Sequence, residues 1–155
     1  MTTLTSNRIT RKSPAPVLEE QVFLSIARTA EQLSWAVVET LHQADLTPTQ
    51  YNALRILRGA GPDGASCTEV SDRMVTKDSD ITRLLDRLEA RDLISRERGG
   101  RDRRRIQVRI TDQGLKVLSD LDEPVIQSHK RQLAHMKEHD LSRLVELLAE
   151  VRKEK

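Results

Sequence analysis

The sequence predicts a mainly α fold carrying one small β-hairpin wing, an α+β class. Two observations predict it. Helical periodicity of apolar residues recurs from Val17 almost to the C-terminus. It is broken once, by the alternating run "RRIQVRI" behind the pair Gly99-Gly100, which has the period of a strand with one buried face. The composition agrees: 37% apolar and 32% charged over 155 residues is a soluble, helix-leaning balance, enough for one domain with a real core.

Taking the elements in order, residues 1–16 are polar, basic through Arg8, Arg11 and Lys12, and read as a disordered tail. From Val17 to about Ala44, Val22, Phe23, Ile26, Ala30, Leu33, Val37 and Leu41 recur at three- and four-residue steps without Gly or Pro, a long first helix. In "LTPTQYNALRIL" Thr47 is an N-cap, Pro48 suits the first helical position and Gln50 completes a capping box; Tyr51, Leu54 and Leu57 form the apolar stripe. "GAGPDG" stops that helix. A short third helix starts at Ser66 with Glu69 three residues on, turning Val70 and Met74 inward. A fourth runs from about Ser79 to Arg91, with Ile81, Leu84, Leu85 and Leu88 on one face. "LISRERG" and "RRIQVRI" make the hairpin around "GGRD". Thr111 caps a fifth helix lined by Leu115, Leu118 and Leu121, which Pro124 should kink or split. Asp140 caps a last helix bearing Leu141, Leu144, Val145, Leu148 and Val151.

Several function classes fall away. Phe23, Trp35 and Tyr51 are the only aromatics, too few for a base-stacking surface. A single cysteine, Cys67, excludes an intrachain disulfide and a cysteine-rich metal site, and fits a reducing compartment. No apolar run nears the ~20 residues that span a bilayer. The N-terminus lacks the apolar segment of a secretory signal, so a cytoplasmic location is expected. There is no nucleophile–base set, phosphate loop or metal set, so no enzyme and no cofactor is expected.

Charge is concentrated. The net is +2, but the stretch from Arg91 to Arg109 holds eight arginines against Asp92, Glu97 and Asp102, a local +5. Three helices followed by a basic hairpin is the layout of a winged helix-turn-helix, in which one helix braces a second that enters a major groove of double-stranded DNA. On the fourth helix a 100° step puts Ser79, Thr82, Arg83, Asp86 and Arg87 outside. Ser79 and Thr82 suit phosphate or base edges, Arg83 has the fork that matches guanine, and Arg87 and the preceding Lys77 suit phosphate. A solvated face with local ion pairs explains that helix equally well, since Asp78, Asp80 and Asp86 share it. The hairpin tips the balance. Arg101, Arg103, Arg104 and Arg105 repel one another unless phosphates lie beside them, and Asp102 reads as the acid that orients a neighbouring arginine.

The segments "TPTQYNALRIL", "DSDITRLLDRLEARDLISRE" and "GGRDRRRIQVRITDQG" resemble the MarR family of bacterial transcriptional regulators, closely over Leu46 to Leu118. The resemblance implies a triangular homodimer whose base is built from the first and last two helices. It implies that Arg104 enters the minor groove, braced by Asp102. It also implies a small-molecule effector, often an aromatic or phenolic acid, held between base and lobe, which places Trp35 and Tyr51 near that pocket with His42 as a polar handle. A lone aromatic at helical spacing is more often core. Asp92 stands where the family usually has Gly, so it must take the left-handed cap.

The expected organisation is a tail over 1–16, a dimerisation helix over 17–45, a winged lobe over 46–111 and dimerisation helices over 112–155. His135 and His139 have a zinc-like i,i+4 spacing but nothing completes a site. Cys67 is a packing residue or, less simply, a thiol activated by a helix start. The leading function is a dimeric, ligand-tuned regulator, most often a repressor in such families, on a palindromic operator. The competing one is a winged-helix interaction or architectural module without sequence-specific DNA binding.

Overall fold

The computed structural model describes residues 17–75, 80–98 and 106–153. Six helices and a small sheet occur among them: α1 (Leu18–His42), α2 (Pro48–Ala60), β1 (Ala65–Ser66), α3 (Cys67–Arg73), α4 (Ile81–Glu89), β2 (Ile94–Arg98), β3 (Ile106–Ile110), α5 (Asp112–Leu133) and α6 (Glu138–Val151). The chain divides after Gln32 into two compact units. In the first, every described residue belongs to the start of α1 or precedes it, and all are exposed.

The second unit holds the core. Leu41 comes from α1, Leu54 and Leu57 from α2, Val70 from α3, Leu85 and Leu88 from α4, Val108 from β3 and Leu118 from α5, all fully buried. α2 and α4 bury the stripes their periodicity predicts, whereas α1 buries only Leu41 of its stripe and α6 buries none. Fully burying such a side chain is worth about 1.5–3 kcal/mol.

The helix starts follow the local chemistry. Thr47 Oγ1 accepts from the Gln50 amide at 3.2 Å while Gln50 Oε1 accepts from the Thr47 amide at 3.0 Å. Ser66 and Glu69 make the same reciprocal box at α3. Both satisfy donors that a helix start otherwise leaves open.

Four expectations are corrected. The hairpin is part of a three-stranded antiparallel sheet ordered β1-β3-β2, because Ala65 and Ser66 pair with Val108 and Gln107. α4 starts at Ile81, capped by Asp80, whose carboxylate accepts from the Arg83 amide at 3.1 Å. Pro124 lies inside α5, which runs on because Leu121, Val125 and Ser128 keep one continuous buried stripe across it. The break comes at Ala134, and α6 begins at Glu138 with Lys137 as its unassisted N-cap, ahead of Asp140.

Two left-handed residues shape turns, Asp92 after α4 and Asp45 between α1 and α2. Asp92 has φ 54°, as its place at the helix end requires, and Asp45 has φ 51°. Thr111 Oγ1 donates to the Asp92 carbonyl and accepts from the Gly114 amide at 3.1 Å, so α5 is pinned to the turn after α4. A Cβ on Gly114 would lie 2.2 Å from the Leu93 carbonyl oxygen, which explains glycine in "TDQG".

Candidate nucleic-acid interface

The candidate surface is built outward from α4. Leu84, Leu85 and Leu88 are buried and Ile81 packs against the same core. That turns Thr82, Arg83, Asp86 and Arg87 outward, and all four are exposed. Arg83 Nε lies 3.3 Å from Asp80 Oδ2, so the cap residue also steadies the arginine fork. Arg87 makes no ion pair among the described residues. Lys77, Ser79, Arg101, Asp102, Arg103, Arg104 and Arg105 lie outside the described residues.

Asp86 would repel phosphate if left alone. It is instead paired at 2.6 Å with Nη1 of Arg96, which comes from β2. The same guanidinium stands 3.6 Å from Glu89 and donates to the Thr82 carbonyl at 3.3 Å. Thr82, Asp86 and Glu89 fall at i, i+4 and i+7, one edge of the helix. The face open to a ligand is therefore the one that presents Arg83 and Arg87.

Two more arginines of the basic stretch are held by the protein. Arg109 bridges Glu97 on β2 and donates from Nε to the Pro62 carbonyl at 2.8 Å. Arg91 donates from Nη2 to the Ala44 carbonyl at 2.9 Å and from Nη1 to the Asp45 carbonyl, closing the end of α1 onto the turn after α4. The net charge of the stretch from Arg91 to Arg109 does not distinguish Arg91, Arg96 and Arg109 from the other five arginines. The available signal was the pair Asp86 and Glu89, which places two carboxylates on one edge of α4.

Beside α4, a cleft of about 240 Å³ is lined by Thr47, Thr49, Gln50, Asp80, Arg83, Leu84 and Arg87. It joins the start of α2 to the two outward arginines.

The residues expected near an effector pocket differ in exposure. Trp35 is 67% exposed and His42 is exposed. Tyr51 is core, and burial pushes its hydroxyl above the usual tyrosine range; the Arg55 guanidinium lies 5.8 Å from its ring centre. A small cleft of about 180 Å³ is lined by Leu33, Ser34 and Val37 of α1, Pro48 of α2 and His129 of α5. Between two of the same helices, Arg58 on α2 grips Asp122 on α5 with two hydrogen bonds of 2.7 and 2.9 Å. That grip holds the Asp122 carboxyl below the usual carboxylate range and the Arg58 guanidinium above its own.

Among the described residues no group of His, Cys, Asp and Glu is placed to hold a metal ion. No described helix is long and apolar enough to cross a membrane.

The chain is similar to known proteins. The MarR family model matches residues 44–105, which spans α2, α3, α4 and β2. The HTH-type transcriptional repressor MdtR of Bacillus subtilis (strain 168) is 31% identical over 100 residues, 64% of this chain and 63% of that protein. The chain thus matches less than two thirds of that relative's length. A MarR transcription factor from Planctomyces limnophilus is 39% identical, with a TM-score of 0.66 over 88% of this chain and 98% of that one. The PcaV transcriptional regulator from Streptomyces coelicolor, solved in complex with its natural ligand, is 26% identical, with a TM-score of 0.70 over 89% of this chain and 96% of that one. With 39% identity over nearly the whole of the Planctomyces protein and the matching family model, the chain belongs to the MarR family of winged-helix transcriptional regulators.

Proposed function

We propose that this protein is a sequence-specific DNA-binding repressor that acts as a homodimer on a palindromic operator and is tuned by a small acid. The observation that carries the reading is the outer face of α4, where Arg83 and Arg87 stand exposed and Asp86 is held by Arg96. Thr82 and Arg83 read base edges in the major groove, and Arg87, with Lys77 and Ser79 ahead of it, binds phosphate. Arg101, Arg103, Arg104 and Arg105 serve the adjacent backbone and minor groove, with Asp102 orienting Arg104.

The dimer reading rests on α6. None of its residues is buried, and Val145 and Val151 are 66% and 62% exposed. A two-fold pair burying such a stripe sets two α4 helices for half-sites about one helical turn apart. On this reading residues 17–45 and 112–155 form the dimer base, 46–111 the DNA-binding lobe and 1–16 a basic tail.

The effector reading rests on the cleft at Leu33, Val37, Pro48 and His129, apolar with one imidazole, a lining suited to a small ring bearing a carboxylate. The ligand bound in the PcaV structure favours the same role. A ligand there acts by favouring one spacing of the two lobes. The protein needs no cofactor, performs no catalysis and works in the cytoplasm.

Selection of bound duplexes from a random pool tests the reading. An enriched palindrome with half-sites about one turn apart is expected. Binding without enrichment, vanishing as salt rises, would leave only polyanion affinity and favour the interaction-module alternative. Arg104→Ala separates the two as well: it weakens operator binding and flattens the salt dependence of a regulator, and leaves a protein-binding module unaffected.

A further inference from the structure

We propose that Arg96 is a positioning residue for DNA recognition: it fastens the root of the wing to the outer edge of α4 and removes two carboxylates from the face that meets DNA. The proposal rests on the DNA-binding reading above.

The geometry is specific. β2 follows α4 after a four-residue turn, and its third residue, Arg96, folds back over the helix. One guanidinium reaches the Thr82 carbonyl at 3.3 Å, Asp86 at 2.6 Å and Glu89 at 3.6 Å, spanning two helical turns. The arginine side chain is only 20% exposed, whereas Asp86 is 53% and Glu89 41% exposed. Arg96 therefore acts from behind the surface, through the acids, and is poorly placed to reach phosphate itself.

The arrangement is not what folding stability alone would select. The Arg96 Nε–H is buried with no partner among the described residues, an uncompensated desolvation. An ion pair with exposed acids adds little net stability, so what this one supplies is a fixed geometry. The geometry fixed here is the angle between β2 and α4. On the opposite side of the sheet, Arg109 joins β3 to Glu97 and to the Pro62 carbonyl, so both strands of the wing are tied to the lobe at their roots. Glu97 pairs in register with Gln107, and Arg96 with Val108, so the two ties sit on neighbouring rungs. Fastened this way, β2 and β3 leave the lobe at one fixed angle to α4.

Loss of Arg96 has two consequences. The wing root is released from α4, and Asp86 is left as an unpaired carboxylate beside Arg87 on the DNA-facing helix. The second consequence provides a discriminating test, because removing the released charge should restore part of the binding.

The experiment compares wild type, Arg96→Gln, Arg96→Lys, and Arg96→Gln combined with Asp86→Asn. The probes are the duplex enriched by wild type from the random pool and a scrambled duplex of the same length. Binding is measured over a series of salt concentrations, below the melting temperature of every variant. Arg96→Gln is expected to weaken binding to the enriched duplex about tenfold, within the range for coupled charged groups, while scrambled-duplex binding changes less than about twofold. The slope of log affinity against log salt should stay the same, since no phosphate contact is lost. Adding Asp86→Asn should recover several-fold of that loss. Arg96→Lys should fall between wild type and Arg96→Gln, and it carries the comparison if the glutamine variant does not fold.

A slope reduced by about one would make Arg96 a direct phosphate contact and overturn the proposal. So would equal losses on both duplexes, or a loss that Asp86→Asn does not lessen. If wild type enriches no duplex, the DNA-binding reading and this proposal fall together; if wild type enriches one and Arg96→Gln binds it as well, only this proposal falls.

Discussion

In the lobe around α2 and α4, Leu54, Leu57, Leu85 and Leu88 are fully buried, and each faces a residue contributed by another element. Along α6, Leu144, Val145, Leu147 and Val151 are all exposed, at 38 to 66%. The two regions have comparable apolar content and the same helical period. They differ in whether the chain itself supplies the opposite surface. The lobe completes its core from six neighbouring elements, while α6 presents a face of the kind that marks an association surface. A stability experiment should therefore separate the two, and the largest effects should come from the lobe.

Leu85→Ala empties a site with no exposure and should cost about 2–5 kcal/mol. Chemical denaturation read by circular dichroism checks it; a cost below about 1 kcal/mol would mean the lobe core repacks freely. Gly114→Ala comes next. Its Cβ would meet backbone, the Leu93 carbonyl, which cannot swing away as a side-chain end can. Overpacking of this kind costs about 1–3 kcal/mol, and the melting temperature should fall accordingly.

Val145→Glu inverts the comparison. At 66% exposure in the single chain it should leave the stability of the lobe almost unchanged. In the proposed dimer it puts an unpaired charge into an apolar contact and should raise the dimer dissociation constant about tenfold or more. Sedimentation velocity across a concentration series reads that shift. A variant that sediments like wild type would show that α6 is not the association face.

How much of this was legible in the sequence follows from the range of each interaction. Thr47 with Gln50 and Ser66 with Glu69 are three residues apart, so both capping boxes are written in adjacent letters. The buried stripe of α4 follows from a period of 3.6 residues and needs no partner to be read. Asp92 in its left-handed cap was expected only through the resemblance to a family that usually has Gly there. β1 was not legible: two residues carry no period, and Ala65 becomes a strand only because Val108 arrives from 43 positions on. The continuation of α5 through Pro124 depends on packing that no local rule contains. At the candidate interface, the outward set Thr82, Arg83, Asp86 and Arg87 was legible from the helix period alone. The division of labour among the arginines was not. Arg96 and Arg109 find their acids across a turn and across a strand pair, and composition registers them only as charge.

The smallest expected effect lies at the joint between the lobe and α5, where Arg58 holds Asp122. The hydrogen bonds from Arg58 are the main cause that lowers the Asp122 carboxyl from its ordinary value. A depressed carboxylate stabilises the fold above its unfolded value of about 3.9, and that contribution is lost as pH falls through the lower folded value. Arg58, raised from an already high value, stays charged throughout and adds no pH dependence in this range. The two side chains are 33% and 41% exposed, so solvent screens the pair and its contribution should stay below about 1 kcal/mol. The stability gap between wild type and Asp122→Asn should thus be flat from about pH 7 to pH 5 and close below about pH 4. Urea unfolding at several pH values reads the gap directly. A gap that persists unchanged at pH 3 would assign the effect to packing of Asp122 against α2 rather than to its charge.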